Sequence, residues 1–172
     1  MRASSLSLAL LLIATPAVAQ GDPAPVVAAE RAFAVDGLAL GVKGSFLKHS
    51  APEAIVFAPD PVKAHDLLKA RPDRKGPSLV WWPLWTGIAR SGDLGFTTGP
   101  STLDGQENGW YFTVWAKQAD GGWKWLYDGG APSAHGDAPP QGSRPTYLPA
   151  ATGPGATPAK AMKPTAVATD RL

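Results

Sequence analysis

Periodic and alternating apolar residues divide most of the chain into recognisable elements. In "PVVAAERAFAVDGLALGVKGSFLKHS" the apolar positions Val26, Val27, Phe33, Ala34, Leu38, Val42, Phe46 and Leu47 roughly follow the 3.6-residue period of a helix. Gly37, Gly41 and Gly44 interrupt that pattern, each at about 1 kcal/mol relative to Ala in a helix interior. Such a helix needs tertiary packing to persist, and its glycines either let another backbone approach closely or mark a bend. "EAIVFAPD" follows, rich in β-branched and aromatic residues, and reads as a short strand. Asp60 before Pro61 reads as an N-cap with proline at the first helical position. This predicts a short helix over "PVKAHDLLKAR", stopped before Pro72.

The pattern then changes to strands. "SLVWWPLWTGIA" and "LGFTTGPSTL" flank the turn "RSGD", and "GWYFTVWAKQ" and "GWKWLYD" flank "ADG". Both read as hairpins. Helices followed by antiparallel strands predict one α+β domain over residues 26–130, long enough for a single core. Alternation puts Tyr111, Thr113 and Trp115 on one face of a strand and Trp110, Phe112 and Val114 on the other. Both faces of this sheet are therefore apolar, and a large apolar face is rarely left uncovered. Thick core packing is the plainest account. A pocket for an apolar ligand or a second copy of the chain on the outer face are the functional ones.

The ends of the chain differ from this body. Arg2, the apolar run Leu6–Ile13 and the small residues Ala17-Val18-Ala19 form a signal-peptide pattern over residues 1–19. It predicts a periplasmic or secreted protein, and no later apolar run is long enough to insert in a membrane. Residues 131–172 are rich in Pro, Ala, Gly and Thr with few recurring apolar side chains. That composition predicts a disordered tail without an anchor motif.

Charge narrows the partners. The formal net charge is +2 and the pI about 9.0. Basic and acidic side chains balance within the domain, and the excess lies in Arg144, Lys160, Lys163 and Arg171 of the tail. No concentrated basic face is predicted, so nucleic acid is not an expected partner. The chain has no cysteine, which excludes disulfides and thiolate chemistry.

Chemistry-bearing residues are few. His49, His65 and His135 make no His-x-x-His or His-Glu-x-x-His pair, so no metal and no cofactor is expected. There is no Gly-x-Ser-x-Gly elbow and no phosphate-binding glycine loop. Asp93, in Ser-Gly-Asp between two strands, reads as a turn residue. Glu53, ahead of the first strand, is expected to face solvent. Two carboxylates remain as candidate general bases. Asp36 lies one turn after Phe33 on the first helix, and Asp128 lies near the end of the last strand. Desolvation beneath aromatics would raise either pKa toward neutrality.

"LVWWPLWTGIARSGDLGFTTG" resembles a pattern of the nuclear-transport-factor-2-like superfamily, in the branch of small bacterial SnoaL-like or unassigned domains. The matching positions are Leu79, Trp81, Pro83, Ile88, Ser91, Gly92, Asp93, Leu94, Gly95, Phe96, Thr97 and Gly99; "AERAFA" and "TVWAKQADGGWK" resemble other parts of it. The resemblance implies a strongly bent, cone-like antiparallel sheet wrapped around the first helix, as in ketosteroid isomerases. It leaves function open, because that superfamily includes isomerases, dehydratases, polyketide cyclases and dimerisation modules. Where some relatives end the last strand with a His-Asp-His-like run, this chain has Tyr127-Asp128-Gly129.

The expectation is a small-molecule-binding domain with an aromatic-lined pocket, for which Phe33, Trp81, Tyr111, Trp115 and Tyr127 are the candidate residues. A lyase or isomerase using Asp36 or Asp128, and an interaction module of the cell envelope, are the alternatives. Pro83 cannot donate to a ladder and predicts a bulge. The bulge would place Trp82 and Trp85 on the outer face, as a candidate interface for a homodimer.

Overall fold

The computed structural model describes residues 21–72 and 78–150. The candidate signal peptide lies outside them, as do residues 151–172. Helix α1 (Ala24–His49) is followed by strands β1 (Ser50–Phe57) and β2 (Pro61–Lys63), helix α2 (Ala64–Ala70), and strands β3 (Leu79–Trp81), β4 (Trp85–Ile88), β5 (Leu94–Leu103), β6 (Gln106–Lys117), β7 (Trp123–Ala131) and β8 (Thr146–Leu148). The strands form one curved sheet in the order β2-β1-β7-β6-β5-β4-β8, with β3 also paired to β5. The helices pack on it, giving the expected α+β class. The sheet is mixed rather than antiparallel throughout, because β1 runs parallel to β7 and β8 parallel to β4.

Two α1 glycines act as the sequence suggests. Gly41 has φ +72° and bends the helix. Gly37 lies under the Trp81 indole, where a Cβ would stand 2.7 Å from the ring. Phe33, on the same helix and fully buried, is the hub of the core. Its ring packs edge-on against Phe46 at 4.8 Å and Trp81 at 4.9 Å, with Trp115 and Trp125 slightly farther away.

The predicted second helix starts late. Pro61–Lys63 pairs with β1 as a strand, so Asp60 caps nothing and α2 begins at Ala64. A ladder partner was available to these residues, and pairing overrode the local capping signal. The helix does end before Pro72.

Pro83 does interrupt its strand. Trp81 pairs with Ser101 and Trp85 with Thr98, so Trp82, Pro83 and Leu84 face only Gly99 and Pro100. Trp81 is buried before this bulge and Thr86 and Ile88 after it. Gly99 is the residue that lets the extra residue pass, because a Cβ there would overlap the Trp82 carbonyl.

A second bulge has no proline to announce it. Val114 pairs with Tyr127 and Trp115 with Trp125, leaving Leu126 unmatched. Strand β7 therefore turns Trp125 and Asp128 inward, and Tyr127 outward against Phe57 at 5.8 Å. Tyr127 is thus not a pocket residue: strict alternation from Trp125 would have made it one, and the bulge reverses it.

The ordered chain also continues past Gly130, where the sequence pattern had placed the start of a disordered tail. The Trp110 indole donates to the Ala134 carbonyl at 3.1 Å and the Trp82 indole to the Pro139 carbonyl at 2.9 Å. His135 packs against both rings, and β8 then joins β4. Few apolar side chains are needed, because indole N–H groups and a strand edge hold this segment.

Gly99→Ala should lower the unfolding free energy by about 2 kcal/mol or more, within the range of overpacked sites. Urea denaturation measures it. A loss below about 0.5 kcal/mol would mean that β5 does not support the bulge as described.

Candidate active site

A cavity of about 140 Å³ opens between the inner ends of β5, β6 and β7, beside Phe46 and Trp81. Asp128, Tyr111, Ser101 and Asn108 supply its polar walls. Asp128 reaches it only because of the Leu126 bulge. Thr113, its cross-strand partner, donates Oγ1 to Asp128 Oδ2 at 2.7 Å. Burial, opposed by that hydrogen bond and reinforced by the Glu30 carboxyl, raises the Asp128 pKa from 3.8 to about 8.

Tyr111, on the inward face of β6, is 7% exposed and its hydroxyl has no protein partner among the described residues. Burial first, and the Glu30 carboxyl second, push the phenol pKa well above 10.0. The hydroxyl therefore stays protonated; it is enclosed, with Glu30 and Thr97 near enough to bear on its titration, while the residue as a whole lines the cavity.

Beneath the cavity lies a carboxyl that sequence reading passed over. Glu30 is fully buried. Trp81 Nε1 donates to Oε1 at 2.6 Å, and Trp115 Nε1 to Oε2 at 3.0 Å. Thr97 Oγ1 also donates to Oε2, and itself accepts from Trp115 Nε1 at 3.1 Å. Desolvation raises the Glu30 pKa against those bonds. The signal was its position: Glu30 is four residues after Val26 and three before Phe33, on the stripe that those two bury.

The other candidates are placed as follows. Trp81 and Tyr111 line the cavity. Phe33 and Trp115 are fully buried in the core behind it. Asp36 is outside it: its Oδ2 is 2.7 Å from Lys48 Nζ and 2.6 Å from His49 Nε2, which lower its pKa. The bend at Gly41 lies between these partners, and a carboxylate stabilised in this way is a weak base. His65 Nε2 is 2.8 Å from Ser50 Oγ, joining α2 to the start of β1. Asp93 accepts from Ser91 in the β4–β5 turn. Trp82 lies under the segment after β7, while Trp85 is 38% exposed and stacked on Trp110 at 5.3 Å. Among the described residues, no three His, Asp or Glu side chains converge as metal ligands, and no helix is long and apolar enough to cross a membrane.

No family model matches the chain, and no curated protein matches it. Among solved structures it is similar to a crystal structure described as "a putative ketosteroid isomerase" from Shewanella frigidimarina NCIMB 400. The two are 18% identical with a TM-score of 0.44, over 59% of this chain and 89% of that one. Chemistry does not pass between proteins at that level of likeness.

The pKa of Asp128 makes stability depend on pH. Between pH 4 and about 8 the folded chain keeps a proton that the unfolded chain has released. This contribution is complete below pH 4, falls as pH rises, and is gone above pH 8. The slope approaches about 1.4 kcal/mol per pH unit, one proton's worth. Asp128→Asn should remove about one proton from the slope measured by urea unfolding between pH 5 and 8, leaving the Glu30 contribution. An unchanged slope would show that Asp128 titrates as an ordinary carboxylate.

Proposed function

We propose that this chain is a small-molecule-binding domain that abstracts a proton from its ligand, as an isomerase or lyase does. The observation that carries the reading is a carboxyl with a pKa of about 8 lining a cavity whose wall includes Tyr111. A filled cone would have favoured a purely structural module.

The chemistry follows from the two groups. Ionised Asp128 takes a proton from the carbon next to a ligand carbonyl. The C–H pair moves to the carbonyl, whose oxygen becomes an enolate oxygen, and the Tyr111 hydroxyl donates to that oxygen. Asp128 then returns the proton, to the same carbon or to a conjugated one, which shifts a double bond. At pH 7 about a tenth of Asp128 is ionised, and the strength of that base offsets its small population.

The same reading includes export directed by residues 1–19, and pairing of two copies across the outer sheet face. The signal-peptide pattern supports the first. The aromatic surface at Trp85 and Phe112, each about two-fifths exposed, supports the second.

Proton NMR in heavy water tests the central part. Small enolisable ketones should exchange their α-protons faster with the protein present, and the rate should rise with pH to a plateau above about 8. Asp128→Asn should lower it at least 100-fold and Tyr111→Phe about 10- to 100-fold. Exchange that is absent, or equal in Asp128→Asn, would remove the proton-transfer role.

A further inference from the structure

A second hollow adjoins the cavity. A hollow of about 220 Å³ lies at the ends of β6 and β7, between Trp110, Ala131 and Pro132. Ser101, Asn108 and Gly130 border both this hollow and the inner cavity. Asn108 Nδ2 donates to Ser101 Oγ at 3.2 Å on that shared wall, and Ser101 Oγ donates to the Gly109 carbonyl at 3.3 Å.

The two chambers differ in chemistry and size. The inner one ends against the Trp81 indole, which cannot retreat: Glu30 holds its N–H, and Gly37, Phe33 and Phe46 pack against its ring. Its 140 Å³ is close to the roughly 150 Å³ that accommodates one benzene-sized ring. The outer one is bordered by a hydroxyl, a carboxamide and backbone. Among the described residues, Asp128 is the one charged side chain that lines either chamber. An anionic group entering there meets a carboxyl and no cation.

Accepting the proton-transfer reading, we infer that the ligand is a neutral two-part molecule. A single-ring ketone occupies the chamber at Asp128 and Tyr111, and an uncharged hydrogen-bonding arm lies in the chamber at Ser101 and Asn108. Trp81 sets the one-ring limit, and the Ser101–Asn108 wall selects the arm.

Calorimetric titration of the full chain with four ketones tests this. They are cyclohexanone, 4-(2-hydroxyethyl)cyclohexanone, its carboxyethyl counterpart and the two-ring 2-decalone. The hydroxyethyl ketone should bind about tenfold more tightly than cyclohexanone, one hydrogen bond's worth. The carboxyethyl ketone should bind no better than cyclohexanone, and 2-decalone at least tenfold worse. Asn108→Ala, and separately Ser101→Ala, should cut the hydroxyethyl advantage to about twofold. Equal affinities across the arms, an advantage that survives both substitutions, or tight binding of 2-decalone would each overturn the inference. Binding is read independently of proton exchange. Arm-dependent binding without exchange supports this inference and removes the catalytic reading, and exchange without arm dependence does the reverse.

Discussion

The buried Glu30 carboxyl is the interaction on which the rest of the structure depends. It lies on the apolar stripe of α1 and takes donors from β3, β5 and β6 through Trp81, Thr97 and Trp115. Removing its acceptors would strand the buried Trp81 N–H, at about 1–3 kcal/mol, and leave the Trp115 N–H with Thr97 alone. Leaving it ionised would bury a charge with no cation beside it, which costs far more. Desolvation therefore favours the neutral acid. It also reaches the cavity twice, by fixing the Trp81 wall and by adding to the raised pKa of Asp128.

Two bulges convert this core into a site. At Trp82–Leu84 the extra residue separates Trp81, facing inward, from Trp85, exposed and stacked on Trp110. At Leu126 it turns Asp128 toward Thr113 and the cavity, while Trp125 stays in the core. Without the second bulge the cavity would hold a tyrosine and lose its carboxyl. Two local irregularities in hydrogen bonding thus decide the electrostatics of the molecule's interior.

Much of this was legible in the sequence, and the exceptions have physical causes. The two hairpins, the glycine-interrupted helix and the inward face Tyr111-Thr113-Trp115 follow from period and turn chemistry. The bulge at Pro83 was readable because proline lacks an N–H. The bulge at Leu126 is not, because leucine fits a regular strand equally well, so alternation alone points Tyr127 to the place that Asp128 occupies. Of the carboxylates on α1, Asp36 has the sequence position of a candidate base and Glu30 does not. A charged residue on an apolar stripe reads as an interruption until its indole partners, more than fifty residues away, are known. Residues 131–150 depart from the disordered tail that composition predicts for a related reason: composition registers side-chain burial and is blind to indoles that bind backbone carbonyls.

Burial raises the titration of both carboxyls inside this cone above the ordinary carboxylate range, and Asp128 titrates near pH 8. Carbon-13 NMR of protein labelled at the Asp and Glu carboxyls, with Asp128→Asn and Glu30→Gln to assign the signals, measures this directly. The Asp128 signal should move with a midpoint near pH 8, and the Glu30 midpoint should lie above that of an ordinary glutamate. A midpoint for Asp128 near pH 4, or a Glu30 midpoint no higher than that of an exposed glutamate, would contradict this.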